Sequence, residues 1–446
     1  MRFLLTVLIA SLGLLSSAHA QSARKLTLQQ AVQLAIDNNP DLQKIRQNVG
    51  LAKADYLRAT GAFLPSVNAG IGWTYNNGSQ YVSPVFPIQE IESRSYNWGL
   101  SANWNLFNGL SDWKGYEQSE YNLEIATNTF ARSAQSTILD VTSNFLVVLQ
   151  RMELLKIARE NLVYQEEQLK KISEMTRLGS RPQIDLYNQQ YLKSNAELDV
   201  INAEKNVAIG KSQLVSILAL DPTQEYDIVV PDLGAGKETN YDLPSLIEAA
   251  FRQRPDLAAS KLAIKSRQNA VWQAWTGYMP SLDLSWSWGA NGVSPSVNKL
   301  SVGDQLTDLR SYRVSLNLSI PIFDRFQTNY FVHQATTNLR NAEYDLSSLE
   351  RSIQVSVKQA YLDYLSYKKS YEVTQDQFKA ASLLRETAQE RYNLGAGTYV
   401  ELANAVKDFT NAASLATQAK YQYEFQKKVL DFYIGSLKPE DYITIR

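Results

Sequence analysis

The 446-residue sequence contains no cysteine, which excludes disulfides, thiolate chemistry and an acylated amino-terminal cysteine together. Histidine is almost as scarce. Of the two present, His19 lies in an apolar leader, and His333 sits in a charged, polar stretch where it reads as a solvated side chain. A histidine-based triad and a multi-histidine metal cluster are both excluded. Neither sign of charge dominates, the net value being −1, so there is no bias towards nucleic acid or anionic lipid. No stretch approaches about eighteen consecutive apolar residues, so no helix is expected to span a membrane. An exported chain of this kind enters a membrane only as a β-barrel or at its surface.

Export itself is legible. Arg2 precedes a largely apolar run from Leu4 to Leu15, and Ala18-His19-Ala20 fits the small-x-small cleavage rule. Residues 1–20 are therefore read as a secretory signal, with the mature chain starting at Gln21.

Four later stretches alternate strictly between apolar and small or polar residues. In 65–76 the apolar set is Val67, Ala69, Ile71, Trp73 and Tyr75; in 95–106 it is Tyr96, Trp98, Leu100, Ala102, Trp104 and Leu106. In 280–291 it is Leu282, Leu284, Trp286, Trp288 and Ala290; in 311–322 it is Tyr312, Val314, Leu316, Leu318 and Ile320. Successive strand side chains point to opposite faces, so each stretch is a strand with one apolar and one polar face. Each is about as long as a tilted strand needs to cross a bilayer. Five of the eight tryptophans lie on these apolar faces, as aromatic girdles require. Trp73, Trp98, Leu100, Trp104, Trp286, Trp288, Leu316 and Leu318 are the expected lipid-facing residues.

The strands belong to a duplication. Asn39-Pro40-Asp41-Leu42 returns as Arg254-Pro255-Asp256-Leu257, and Leu64-Pro65-Ser66-Val67 as Met279-Pro280-Ser281-Leu282, each 215 positions on. Phe107 returns as Phe323 and Leu178-Gly179 as Leu394-Gly395, each 216 positions on. One residue of slippage over the whole unit marks two copies of one structure. The expected layout is a first repeat over 21–220, a linker over 221–242, a second repeat over 243–437 and a short tail over 438–446. Polar loops at 77–92 and 291–308 join the strands of each half.

The rest is helix. From Asp112 to Arg177 there is no proline, and Ala131, Ala134, Ile138, Val141, Phe145, Val148, Met152 and Leu155 keep coiled-coil spacing. Leu346, Leu349, Ile353, Val357, Ala360, Tyr364, Tyr367 and Tyr371 do nearly the same in the second half. Helices of this length reach roughly 100 Å, deeper than any globular core. Each turns at Leu178-Gly179 or Leu394-Gly395, where glycine suits a left-handed cap, giving helical hairpins over 112–218 and 325–434. Pro182 fits the first turn of one returning helix and Thr398 the N-cap of the other.

Four strands cannot close a barrel, and an open edge in lipid leaves backbone groups unsatisfied. The chain must oligomerise, and two, three or four copies would each give a plausible strand count. At this point the sequence resembles the TolC family of outer-membrane channel proteins across the whole mature chain. The duplicated halves, the Asn-Pro-Asp-Leu start, the Leu-Pro-Ser step into the strand and the Leu-Gly turns carry the likeness. The resemblance implies a mixed α and β fold: a homotrimer with a twelve-stranded outer-membrane barrel and a periplasmic barrel of coiled-coil helices. It implies a passive exit duct in a Gram-negative outer membrane, serving drug efflux or type I secretion. The implied partners are a periplasmic adaptor (a membrane fusion protein) and an inner-membrane pump or ABC transporter.

The resemblance also points to the hairpin tips. Asp185 and Glu401 each lie six residues after a tip glycine, where acidic residues of the family join a network that holds the periplasmic mouth shut. Asn404 matches a place that is acidic in some members, and Tyr392 matches a gating tyrosine. Gly397 stands where some members carry a gating arginine, so Arg177 or Arg181 would have to replace it. Leu178, Gly179, Leu394 and Gly395 are the expected contacts for the adaptor. No catalytic, cofactor-binding or metal-binding residue is assigned. Gly210-Lys211-Ser212 imitates the end of a phosphate loop, but Lys205 occupies the position that needs glycine and the stretch is helical. The rival reading is a periplasmic coiled-coil adaptor without its own pore.

Overall fold

The alternating stretches become four antiparallel strands in one sheet. The computed structural model of the protein describes residues 24–80, 89–231, 241–294 and 300–437. The expected signal and tail lie outside these residues, as do 81–88 and 295–299 of the strand-to-strand loops and 232–240 of the linker. Strands β2 (Ser66–Gln80), β3 (Gln89–Phe107), β5 (Ser281–Ser294) and β6 (Ser311–Ser319) pair in the order β2-β3-β5-β6. A separate pair, β1 (Arg24–Leu26) and β4 (Tyr226–Ile228), is parallel.

Register carries the alternation through the larger sheet. Ile71 lies opposite Trp98, Leu100 opposite Trp288, and Trp286 opposite Val314. Asn68 lies opposite Ser101, Ser101 opposite Ser287, and Ser285 opposite Ser315. Directly opposed residues share a face, so one face is apolar from β2 to β6 and the other is small and polar. Trp98 and Trp288 meet edge to face with ring centroids 5.0 Å apart.

The strand ends differ from the alternation. β2 reaches Gln80 and β3 starts at Gln89, because backbone pairing continues from Asn77↔Glu92 to Gln80↔Gln89 after the side-chain pattern has lapsed. β6 stops at Ser319 rather than 322, before Pro321, which has no N–H to give a ladder. The second loop also holds a short helix, α7 (Val302–Asp308). Gln305 of α7 bonds both the N–H and the carbonyl of Val293, at 3.0 Å each, and Trp98 Nε1 donates to the Leu306 carbonyl at 3.2 Å.

The repeat is visible in local geometry. Helices α3 (Ser111–Arg177) and α8 (Gln327–Asn393) are each 67 residues long. Before α3, Gly109 and Leu110 have φ of 67° and 68°; before α8, Arg325 and Phe326 have φ of 55° and 64°. The left-handed turn is therefore kept where only one of four residues is glycine. Asn108 Oδ1 accepts the Asp112 N–H at 3.3 Å, and Asp324 Oδ2 accepts the Thr328 N–H at 2.7 Å. Both cap orphan donors at a helix start.

The compact units cut across the repeats. One unit is Ile45–Phe130 with Pro255–Arg351, holding the four-stranded sheet, most of α2 (Pro40–Gly61), α6 (Pro255–Trp275) and the first turns of the long helices. The other comprises the described parts of Met1–Lys44, Ala131–Arg254 and Ser352–Arg446. It holds α1 (Leu28–Asn38), α4 (Gln183–Ile217), α5 (Leu243–Gln253), α9 (Tyr399–Ile434) and the remainder of the long helices. Its core is the expected seam: Ala134, Ile138, Val141, Phe145 and Val148 of α3 are buried, as are Ile353, Val357, Ala360 and Tyr364 of α8. Ala405, Ala412, Ala413, Ala416 and Ala419 bury the small face of α9. The repeats interleave because each contributes strands to one unit and a hairpin to the other.

Candidate functional site at the hairpin tips

Both tips form by the same backbone device. Gly179 and Gly395 have φ of 75° and 74°, a conformation that glycine adopts without a Cβ penalty. Ser180 N–H reaches the Met175 carbonyl at 2.9 Å and Gly179 N–H the Thr176 carbonyl at 3.0 Å. Ala396 to Arg391 at 2.8 Å and Gly395 to Tyr392 at 3.1 Å repeat the pattern. These are Schellman closures that satisfy the last carbonyls of α3 and α8. Leu178 and Leu394 then project into solvent, 71% and 83% exposed. No atom stands within 4 Å of where a Cβ would sit on either glycine.

The two carboxylates, equivalent by repeat, have different surroundings. Glu401 is the third residue of α9 and completes a capping box with Thr398: its N–H donates to Thr398 Oγ1 at 3.2 Å, and its carboxylate accepts the Thr398 N–H at 3.3 Å. Arg391 approaches that carboxylate at 3.9 Å with both side chains more than half exposed. Asp185 has no such box, because α4 starts after Pro182, its cap residue, which has no side-chain acceptor. It stands close enough to Tyr392 and Tyr399 to disfavour their ionisation. Asn404 is exposed one turn beyond Glu401.

Tyr392 lies in the core. It is 3% exposed and packs with Ile172, Tyr399, Leu402 and Val406. The Arg181 guanidinium lies 4.3 Å from its ring centroid and donates to its carbonyl at 3.3 Å. Of the two arginines at this tip, Arg181 is the one that meets Tyr392; Arg177 bonds Glu174 on its own helix at 2.9 Å. Burial raises the Tyr392 pKa, with Arg181 acting against the shift. Its hydroxyl is buried with no partner.

Sequence reading missed a set of neutral side chains behind the tips. Gln189 of α4, 2% exposed, donates to the Gln165 side-chain and backbone oxygens at 2.8 and 3.0 Å. Its own oxygen accepts the Tyr399 hydroxyl at 2.9 Å. Tyr164 donates to Gln389 at 2.5 Å, and Gln168 to the same oxygen at 3.3 Å. Glutamines on a charged helix read as solvated face, and only their burial distinguishes them. Burial pushes Tyr164 up to about 12 and raises Tyr399 further.

The expected lipid-facing residues share the apolar sheet face. Trp73, Leu316 and Leu318 are about two-thirds exposed, and Trp104 and Trp288 about two-fifths. Trp98, Leu100 and Trp286 are half-buried among their neighbours.

Comparison with known proteins places the whole arrangement. A family profile described as "Outer membrane efflux protein" matches residues 31–220 and 246–436, one match per repeat. The chain is 24% identical to outer membrane protein TolC of Escherichia coli K12, covering 100% of this chain and 89% of the relative. It is also 24% identical to the alkaline protease secretion protein AprF of Pseudomonas aeruginosa, over 99% and 90% of the two chains. The Campylobacter jejuni CmeC outer membrane channel superposes with a TM-score of 0.76 at 18% identity, over 93% of this chain and 88% of that one.

Proposed function

The chain belongs to the outer membrane efflux protein family, and on that premise we propose that three copies form the outer-membrane exit duct of an efflux or type I secretion system. One observation carries the reading: a four-stranded sheet with a continuous apolar face, exposed over most of β2 and β6, whose edges β2 and β6 are unpaired among the described residues. On β3 the apolar set runs from Tyr96 to Leu106. Ten residue steps on a strand tilted by about 40° rise roughly 25 Å, the height of a lipid-facing band. Edge pairing of β6 with β2 of the next copy would satisfy every strand in a twelve-stranded barrel, with the small polar face lining the pore.

The helical hairpins then stand in the periplasm, and Leu178 and Leu394 are the exposed apolar points that an adaptor would grip. The names of relatives favour both kinds of cargo. AprF is called an alkaline protease secretion protein, and SepC of Pseudomonas putida a probable efflux pump outer membrane protein. In this reading the duct is passive, its residues forming a wall and a mouth. A periplasmic adaptor has no use for a sheet that leaves Trp73, Leu316 and Leu318 about two-thirds exposed.

Flotation and conductance test this. The protein should float with outer membranes as a heat-modifiable oligomer, and the purified oligomer should give long-lived conductance steps in planar bilayers. A soluble periplasmic protein without conductance would contradict it.

A further inference from the structure

The polar face of the sheet is nearly free of charge. Along the alternating part of the four strands it is built from serine, asparagine, glycine and threonine, and only Asp283 of β5 and Arg313 of β6 ionise. Asp283 is half-buried and accepts a hydrogen bond from Asn105 Nδ2 at 2.9 Å. Arg313 is exposed, and among the described residues it has no ion pair and no hydrogen bond.

The register keeps the two charges apart. Arg313 lies opposite Ser287 and Asp283 opposite Asn317, four positions along the strands. At about 3.4 Å per residue that is roughly 14 Å, beyond the reach of an arginine side chain. The nearer positions on this face are Ser285, Gly289, Ser311 and Ser315, none of which neutralises a guanidinium. Closing the barrel does not change this. The strand that would join β6 is β2 of the next copy, and β2 contains no carboxylate at all. Whatever the register of that seam, Arg313 keeps its charge uncompensated.

We propose that Arg313 of three copies forms a cationic ring inside the barrel that binds multivalent anions, phosphate-bearing ones above all. The proposal rests on the channel reading above. The guanidinium is always protonated and presents a planar fork of donors that takes phosphate oxygens in pairs. Its neighbours are short and neutral, so the side chain projects beyond them into the pore. Charge of one sign lining a passage raises the local concentration of the opposite ion. The ring therefore favours anions at its own level, while Asp283 acts nearer the helix-bearing ends of the strands.

Planar bilayers holding the purified oligomer test the ring, with inorganic triphosphate as the probe. The long hairpins cannot cross the bilayer, so they stay on the side of addition and the strand loops face the other. Triphosphate on the loop side should reduce the wild-type current in 0.1 M KCl. In 1 M KCl, where the Debye length falls from about 10 Å to about 3 Å, the reduction should vanish. Arg313→Gln should raise the concentration for half reduction about tenfold, the size of one lost charge-assisted hydrogen bond. It should also move the reversal potential in a KCl gradient towards that of potassium. Arg313→Lys should keep the reversal potential and weaken the triphosphate effect, because the fork is lost and the charge is not. Ser287→Asp sets a carboxylate opposite an unaltered Arg313 and should act as Arg313→Gln does, which keeps the test open if Arg313→Gln fails to assemble. A conducting wild type that ignores triphosphate overturns the ring alone. So do Arg313→Gln or Ser287→Asp channels with wild-type reversal potential and wild-type block, which would leave Arg313 only the guarding of an edge strand. A wild type without conductance overturns the channel reading, and the ring with it.

Discussion

Gly289 lies directly opposite Gly99 across the β3–β5 ladder, and a Cβ built on Gly289 would run into the Trp98 carbonyl. Gly70 lies opposite Gly99 on the other side, so three strands carry glycine in one row on the polar face. Glycine in a strand interior marks a bend or a close backbone approach, and a sheet must bend to close. Gly289→Val should therefore sharply reduce the yield of heat-modifiable oligomer. Gly70→Val, where no atom stands within 4 Å, should leave it near wild type. Gel shift with and without boiling reads both.

The two sheet faces should differ in what they tolerate. Arginine at Leu100 or Leu316 places a charge on the apolar face and should cost about 2–4 kcal/mol if it lies near the bilayer middle. Arginine at Ser101 or Ser315, one position away on the polar face, should assemble normally and lower cation preference. Equal yields from both faces in a refolding assay would refute the assignment of faces.

The tip carboxylates should separate. Glu401 is occupied by its capping box and by Arg391, whereas Asp185 has neither. Asp185→Asn should weaken multivalent-cation block of the purified duct more than Glu401→Gln does. Glu401→Gln keeps the capping geometry, while Thr398→Ala should cost about 1 kcal/mol of local stability with little effect on block. Equal loss of block from both carboxylate variants would show one uniform ring instead.

Tyr164, pushed up to about 12 by burial, and Tyr399, raised by burial and then by Tyr392 and Asp185, predict a one-sided pH response. An unfolded tyrosine ionises near 10. Folded values above that make the contribution complete below about pH 10 and progressively lost towards 12. Thermal unfolding of the oligomer should shift little on this account between about pH 5 and 9 and fall above 10. Tyr164→Phe should remove part of that fall. A tyrosine-dependent decline centred near neutral pH would contradict it.

Much of this was legible in the sequence because the period of each element is set by one strong demand. Alternation announced the strands since one face meets an apolar environment and the other does not. The seam from Ala134 to Val148 announced the hairpins for the same reason. What alternation could not give was where backbone pairing stops, so β2 ran on to Gln80 after its pattern lapsed. Nor could it separate Asp185 from Glu401, whose difference lies in Pro182 and Thr398 at the helix starts. Gln165 and Gln189 were invisible because a glutamine is polar wherever it sits, and only a fold says that it is buried. The resemblance alone points to Tyr392, and no pattern in the sequence shows that its ring lies in the core with its hydroxyl unpartnered.

The central claim is that this sheet is one third of a closed barrel. Native mass spectrometry of the protein released from detergent micelles tests it most directly. The account predicts a single dominant species of three chains that survives in detergent and collapses to monomer on heating. A stable monomer, or a dimer as the largest assembly, would contradict it.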